Sequence, residues 1–452
     1  MPLLLCLGDL KKKRHLYFER MIMGNQIIVI IESVYLRVLI IFLTFFSMGG
    51  HVFALSLEEA LDAALNTNSE IIAARQTYKL HVENVNQIAS SKLPSISANV
   101  SGNRIWDLKN DDDTDNLSAD LTANYTLFDG NLINHSITAE KFRLSSAKAQ
   151  LLAVEQKVLF DSVVAYLNVL RDMRLVALSK KNVAFLRQQL DASTSRYELG
   201  EVTLTDVAQA TAALEAATSV LVSREGLLNL STSLFETIVG AKAENLEVNI
   251  ELPILPDSLE EAKKLAEKYN LTLKSTIFIE KRAKALWDAS KSKSFPTLSI
   301  ISSLSSGQSV ADNDYANFGI SLRGSIPIYN GGSLKSGERG AYSSLEAAMA
   351  NTTIVRLNVM QQVMTAWSDI KVSSSIISAR IRQVEATELA HQGISEEARL
   401  GSRTTLDVLE SEQSLMNTKT DLETALSNRL VAAYRLLMQT GTLTPSSLGI
   451  SS

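Results

Sequence analysis

The feature that most constrains this chain is an internal duplication with an offset of about 201 residues. The matched segments keep their order along the chain: Ser56-Leu57-Glu58-Glu59-Ala60 with Ser258-Leu259-Glu260-Glu261-Ala262, Phe128-Asp129-Gly130 with Tyr329-Asn330-Gly331, Leu199-Gly200 with Leu400-Gly401, Asp206-Val207 with Asp407-Val408, and Gly240 with Gly441. A unit this long is not a solenoid repeat, which spans roughly 20–50 residues. Each half is therefore expected to contain the same set of structural elements.

The composition excludes several classes of protein. The net charge of −5 over 452 residues provides no basic face for nucleic acid. Cys6 is the only cysteine, so the chain has neither a disulfide framework nor a cysteine-based metal site. The histidines, including His81, His135 and His391, are scattered without the spacing of metal ligands, and the sequence contains no phosphate-binding GxxxxGK[ST] loop. We expect neither an enzyme nor a cofactor.

The N-terminal segment has the pattern of an export signal. Basic residues precede the apolar run of residues 38–46, and Val52-Phe53-Ala54 provides a small-residue site for cleavage after Ala54. Residues 1–20 are interpreted as an upstream extension, because Met21 or Met23 would start a signal of ordinary length. The alternative is an uncleaved anchor over residues 27–46, which Glu32 and Arg37 would interrupt.

Each half is predicted to begin with a helix and to continue into a hairpin of two strands. The helices are expected over residues 57–91 and 259–292, and Pro94 and Pro296 end them. Period-two alternation follows in residues 95–100, 117–128 and 317–328, and more weakly from Thr297, where Ile301 departs from the pattern. Strands that cross a bilayer need about 9–11 residues with one apolar and one polar face. The predicted hairpins fit that description, with acidic tips at residues 110–115 and 312–314 and aromatic residues near the strand ends (Trp106, Phe128, Tyr315, Phe318 and Tyr329).

The number of strands requires oligomerisation if the hairpins lie in a membrane. Open sheet edges are not tolerated in lipid, and membrane barrels begin at about eight strands. Two chains would supply eight strands, but such a barrel is filled by its own side chains. A channel therefore needs three or more copies of the chain. The alternative is a half-buried sheet in a soluble domain.

Long helices are predicted after each hairpin. Residues 131–199 lack proline and glycine, and the matching unbroken stretch covers residues 341–392. At 1.5 Å per residue, the first stretch could extend about 100 Å. Glycine-containing turns at Leu199-Gly200 and Leu400-Gly401 reverse the chain into helices over residues 205–239 and 405–440. The predicted organisation is an extension and signal peptide in residues 1–54, a first repeat in 55–254 and a second repeat in 255–448.

The motifs, taken in order, resemble the TolC-type outer-membrane efflux and type I secretion channels. They are SLEEAL at residues 56–61, the prolines before the strands, LFDG at 127–130, PIYNGG at 327–332 and LGSRTTLDVLESEQSL at 400–415, and the resemblance covers roughly residues 55 to 445. It implies an α+β membrane protein in which a homotrimer forms one twelve-stranded transmembrane β-barrel, in outer-membrane lipid, continuous with a periplasmic α-helical barrel. It also implies a passive exit duct that works with a periplasmic adaptor protein and an inner-membrane efflux pump or ABC transporter.

The resemblance also implies roles for residues at the two interhelical turns. Arg403 would latch the closed aperture by contacting Thr205 and Asp206 of the neighbouring hairpin. Asp407 and Glu410 would form an acidic ring that faces the lumen and attracts cations electrostatically. The tips around Gly200 and Gly401 would dock the adaptor. The sequence departs from the family pattern at Ala398 and Leu426, where a tyrosine and an arginine are expected, and Glu410 replaces the usual aspartate.

Two alternatives remain at this point. Asp407 and Glu410 could simply be solvated acids in the first turn of a helix, where the helix dipole favours negative charge. The whole chain could be a coiled-coil structural protein of the cell envelope, held by an uncleaved N-terminal segment. Lipid-facing strands distinguish the channel from such a scaffold, which has no need of them.

Overall fold

The computed structural model describes residues 55–107, 112–309 and 313–450 of the chain. The predicted export signal in residues 1–54 lies outside these ranges, and so do the hairpin tips at 108–111 and 310–312. In chain order the elements are α1 (Leu57–Thr67), α2 (Ser69–Ser90), β1 (Ser95–Asp107), β2 (Asp112–Phe128), α3 (Leu132–Glu198), α4 (Leu204–Val239), α5 (Leu259–Tyr269), α6 (Leu271–Ser292), β3 (Thr297–Ser309), β4 (Asn313–Ser325), α7 (Ser333–Arg399), α8 (Thr405–Thr440) and a 3₁₀ turn (Pro445–Leu448). The two halves therefore contain the same elements in the same order.

The opening helix of each half is divided in two, although the sequence predicts one continuous helix. Asn68 separates α1 from α2 and Asn270 separates α5 from α6, each with an extended ψ (125° and 122°). The Asn68 side chain accepts a hydrogen bond from the Glu70 amide and donates one to Ile238 O at 3.1 Å. Asn270 donates in the same way to Gln439 O at 2.9 Å. Each break thus satisfies a carbonyl at the C-terminal end of a long helix, α4 or α8.

The four strands form a single antiparallel sheet in the order β1-β2-β3-β4. Besides the two predicted hairpins, β2 pairs with β3, although the two strands are separated by α3 to α6. A bulge between Thr126 and Phe128 interrupts that register. The alternation predicted as far as Ile328 ends earlier, because β4 stops at Ser325 and Pro327 cannot donate to a strand ladder.

Two helical hairpins of the same dimensions make up most of the chain. Helices α3 and α7 each contain 67 residues, which corresponds to about 100 Å. Helix α7 begins at Ser333, before the predicted start at residue 341, and it includes Gly337, Gly340 and Gly393. Tertiary packing along the hairpin outweighs the cost of about 1 kcal/mol that each glycine adds to a helix. Among the described helices, none has both the length and the apolar character that a membrane-spanning helix needs.

The largest apolar clusters lie where the short helices pack on the long ones. Tyr166 of α3 and Phe235 of α4 are fully buried and meet edge to face, with ring centroids 6.0 Å apart. The Tyr166 hydroxyl reaches Leu55 O at 2.8 Å and Glu247 O at 3.1 Å, beside the parallel bridge between Leu55 and Leu246. A corresponding cluster joins α5 and α6 to α7 and α8. A third cluster, which includes Leu167 of α3 and Tyr434 of α8, packs the two helical hairpins against each other.

Candidate functional site

One face of the sheet is apolar across all four strands. Residues paired across an antiparallel sheet lie on the same face, so the register defines rows of neighbours from β1 to β4. The rows on this face are Val100, Ala119, Ser306 and Ala316; Ala98, Leu121, Leu304 and Phe318; Ile96, Ala123, Ser302 and Ile320; and Tyr125, Ile300 and Leu322 on three strands. Phe318 and Ile320 are each 69% exposed. Apart from Ser302 and Ser306 on β3, these rows form an exposed apolar surface, which marks a site of contact with lipid or protein.

The opposite face is polar. Its rows are Asn99, Asp120, Ser305 and Asn317; Ser97, Thr122, Ser303 and Gly319; Ser95, Asn124, Ile301 and Ser321; and Thr126, Ser299 and Arg323 on three strands. Ile301, which departs from the alternation, is the apolar exception in these rows. Neither face is covered by a helix in the described part of the chain, since most strand residues on both faces are exposed or half-exposed. A two-faced sheet with exposed surfaces is typical of the wall of a membrane barrel.

The turns at the far ends of the helical hairpins have matching geometry. Gly200 and Gly401 adopt positive φ (78° and 80°) after α3 and α7. Three residues later, Thr203 and Thr404 cap α4 and α8 through reciprocal capping boxes with Asp206 and Asp407. The Asp407 carboxylate accepts from the Thr404 amide at 2.9 Å and from its hydroxyl at 2.8 Å. Both tips are thus fixed by the same local hydrogen bonds.

These capping bonds favour the ionised form of the two aspartates. Hydrogen bonds from the Thr404 backbone and side chain lower the pKa of Asp407, and those from the Thr203 side chain and backbone lower the pKa of Asp206. Glu410 is exposed and follows Asp407 by three residues, which places both carboxyl groups on one side of α8. Asp407 therefore does cap the first turn of α8, which is the alternative role considered for it. Its carboxylate still carries a negative charge at the tip.

Arg403 lies in the turn before α8 and makes an ion pair within its own hairpin. Its Nε is 2.8 Å from Glu397 Oε2 of α7, and both side chains are about half exposed. Thr205 and Asp206 lie at the other tip of the same chain. Arg403 is paired with Glu397 here, and its predicted contact with Thr205 and Asp206 of the neighbouring hairpin stays a prediction.

Two exposed leucines at the tips were not predicted as site residues from the sequence. Leu199 and Leu400 immediately precede the turn glycines and are 76% and 80% exposed. The duplication offered a signal for them, because the two leucines occupy equivalent positions of the repeat. Each tip thus presents an apolar side chain beside a glycine whose surroundings are open to solvent. In the described ranges, no cluster of histidine, cysteine and acidic residues could hold a metal ion.

Comparison with known proteins agrees with this geometry. The outer membrane efflux protein family matches residues 60–234 and 264–442. The chain is 28% identical over 400 residues to the outer membrane efflux protein BepC of Brucella suis, covering 87% of each chain. It is 24% identical over 374 residues to the outer membrane protein TolC of Escherichia coli, covering 74% of this chain and 75% of TolC.

A solved structure has the same fold. A crystal structure of CusC, described in connection with folding and transmembrane channel formation, superposes with a TM-score of 0.78 at 17% identity, covering 86% of this chain and 92% of CusC. The family match extends over both halves of the duplication and includes the long helices. The chain therefore belongs to the outer membrane efflux protein family and is an outer-membrane channel protein of the TolC type.

Proposed function

We propose that three copies of this chain form a passive exit duct through the outer membrane and the periplasm, for drug efflux, type I protein secretion or both. The duct has no catalytic machinery of its own. An inner-membrane pump or ABC transporter supplies the energy, and a periplasmic adaptor protein connects the pump to the duct.

The observation that carries this proposal is the two-faced sheet. Its apolar rows suit the hydrocarbon of a bilayer, and its polar rows suit an aqueous lumen. In the described residues β1 and β4 each have one unpaired edge, and unpaired edges are not stable in lipid. Pairing β4 of one chain with β1 of the next closes the sheet. Three chains give twelve strands, which leave more interior space than the filled eight-stranded barrel of a dimer.

The helical hairpins extend the duct in this proposal. Each chain contributes α3 with α4 and α7 with α8, so three chains contribute twelve helices to a tunnel in the periplasm. The two repeats, residues 55–254 and 255–448, each provide one strand hairpin and one helical hairpin. Residues 1–54 comprise the N-terminal extension and the signal peptide, which is removed on export.

The experiment that tests the duct is reconstitution of the purified mature protein in a planar bilayer, with its oligomeric mass measured in detergent. We expect discrete, cation-selective openings from a trimer. Leu121→Arg and Thr122→Arg are a matched pair, because the two residues are adjacent on β2 but lie on opposite faces. Arginine on the lipid side costs about 2–4 kcal/mol near the bilayer midplane, whereas arginine in the lumen changes selectivity. A monomer or dimer without conductance, or equal effects of both variants, would contradict the proposal.

We infer that the tips close the duct at its periplasmic end. Arg403 of one chain contacts Thr205 and Asp206 of its neighbour, and Asp407 and Glu410 form the acidic ring. The ionised, hydrogen-bonded Asp206 supports this arrangement, because its carboxylate offers a fixed negative partner for a guanidinium. The ion pair between Arg403 and Glu397 lies within one hairpin and competes with the contact between Arg403 and Asp206. It offers an alternative position for the Arg403 side chain when the aperture opens.

Arg403→Ser is expected to raise single-channel conductance, because it removes the cation that bridges neighbouring tips. Glu397→Gln is the informative control. It removes the partner of Arg403 within the hairpin and leaves the latch partners intact, so its conductance should stay at or below that of the parent. Unchanged conductance in Arg403→Ser would remove this residue from the latch.

The adaptor docks at the tips in this proposal. Gly200 and Gly401 leave open space at the turns, and Leu199 and Leu400 add exposed apolar contacts at equivalent positions of the repeat. Largely exposed leucines at the end of a long helical hairpin are suited to burial against a partner.

A further inference from the structure

A small cavity lies where the two helical hairpins meet the segment that joins the repeats. Its volume is about 160 Å³, and it is enclosed by α3, by α8 and by residues 248–252 of the segment between α4 and α5. Leucines of both helices and Ile250 form its apolar walls. A single water molecule needs only about 10–15 Å³ of such space. The cavity is therefore large enough for a bigger polar group, such as a small anion.

The charged side chains at this cavity are mainly arginines. Arg171 and Arg174 of α3 and Arg429 of α8 line it, together with Glu423 of α8. Asp172, the partner of Arg171, adds a second carboxylate. Three guanidinium groups against two carboxylates leave one excess positive charge. Because arginine is not deprotonated in proteins, this excess is permanent.

Two of the three guanidinium groups have partners within the fold. Arg171 Nε donates to Asp172 Oδ1 at 2.8 Å. Arg174 Nη1 donates to Glu423 Oε2 at 3.3 Å, and its Nη2 donates to Val248 O at 3.0 Å. These contacts hold both side chains at the cavity. They also engage both carboxylates, so neither of them pairs with the third arginine.

Arg429 is the arginine that lacks such a partner. Its Nε is buried, and within the described part of the chain it makes no hydrogen bond. A guanidinium group carries its N–H donors in a rigid, planar fork. Leaving a partly buried cation unpaired costs free energy, which a bound anion would offset. Unused donors, an excess positive charge and an unfilled volume thus occur in one place.

We propose that this cavity is a binding site for a small oxyanion of the phosphate or sulfate class, held by Arg429 and by the remaining donors of Arg171 and Arg174. A planar guanidinium group matches two oxygens of such an anion at once. The apolar walls, which include Leu426, strengthen these charge-assisted hydrogen bonds by excluding water. The anion connects α3 of the first hairpin with α8 of the second. The site does not depend on the proposed duct, because a single chain supplies every contact.

Isothermal titration of the purified protein in neutral detergent with inorganic phosphate tests the site. A chloride buffer of constant ionic strength keeps general screening the same throughout. We expect one phosphate to bind per chain, and we expect sulfate, which has the same tetrahedral shape, to compete with it. Absence of binding to the parent, or a stoichiometry well above one phosphate per chain, would overturn the proposal.

Two variants change different properties of the cavity. Arg429→Gln removes a charge and should weaken phosphate binding about tenfold to a hundredfold, the value of one charge-assisted hydrogen bond. Leu426→Phe keeps every charge but fills the space, so it should weaken binding at least as strongly. Arg187→Gln is the control, because it removes an exposed arginine about 20 Å further along α3. The control should bind phosphate as the parent does.

The helical circular dichroism signal, recorded without phosphate, establishes that each variant is folded before it is titrated. If Arg429→Gln does not fold, Leu426→Phe decides the outcome, because it changes no charged group. Unchanged affinity in Leu426→Phe would show that phosphate binds outside the cavity. An equal loss in Arg187→Gln would show that binding reflects only the total charge of the protein. Either result would contradict the proposed site.

Discussion

Gly441→Ala is expected to destabilise the protein by about 2–5 kcal/mol. The residue ends α8 with φ at +77°, a conformation that costs an L-residue about 1–2 kcal/mol. An added Cβ would also collide with the carbonyl of Tyr269 and would lie 2.8 Å from the Asn270 nitrogen. Both are backbone atoms at the break between α5 and α6, and overpacking of this kind costs about 1–3 kcal/mol more. The clash would displace the Asn270 side chain from Gln439 O.

Gly401→Ala is the matched control for this prediction. Gly401 has nearly the same φ, +80°, but no atom lies within 4 Å of a Cβ built at that position. The stability lost in Gly401→Ala should therefore be limited to the conformational cost of about 1–2 kcal/mol. Urea unfolding of the detergent-solubilised protein, followed by the helical circular dichroism signal, compares the two variants. Equal losses would show that the contact between α8 and the α5–α6 break does not contribute to stability.

Removing the proposed acidic ring is expected to weaken block of the channel by multivalent cations about tenfold to a hundredfold. The double variant Asp407→Ala with Glu410→Ala removes six carboxylates from a trimer. A narrow mouth lined by one sign of charge concentrates counter-ions by about this factor. The block is measured as the cation concentration that halves the single-channel current, at low ionic strength where screening is weakest.

The capping bonds of Asp407 require a second variant. Alanine at this position also removes the acceptor for the Thr404 amide and hydroxyl, so it disturbs the tip itself. Asp407→Asn with Glu410→Gln removes the same charges and keeps an oxygen acceptor for the cap. It should weaken the block as strongly as the alanine pair. Glu396→Gln, an exposed carboxyl group at the end of α7 that pairs with Arg399, should have little effect. Equal block in all variants would place the ring elsewhere.

The sequence was sufficient to predict the repeated elements, because their patterns are long and local. The period-two alternation and the glycine turns at Gly200 and Gly401 lie within short stretches of chain. The breaks at Asn68 and Asn270 were missed, since asparagine can occur inside a helix and its decisive partners, Ile238 O and Gln439 O, are about 170 residues away. Only the folded chain brings those carbonyls to the side chains.

The functional residues at the helix tips were less predictable from the sequence than the secondary structure was. Asp407 and Arg403 were identified through a resemblance and not through local chemistry, and their proposed contacts join neighbouring subunits. Capping of α8 by Thr404 depends only on residues close in sequence, Thr404 and Asp407.

The pairing of β2 with β3 has a consequence for biogenesis. Phe128 and Leu298 are partners in the ladder, yet 170 residues separate them. A chain exported from its N-terminus presents the β1–β2 hairpin, with one apolar face and an unsatisfied edge, long before β3 emerges. Such a species is prone to aggregate, and pairing of this high contact order is slow. We therefore expect the β1–β2 hairpin to be exposed to aggregation until the second half of the chain arrives.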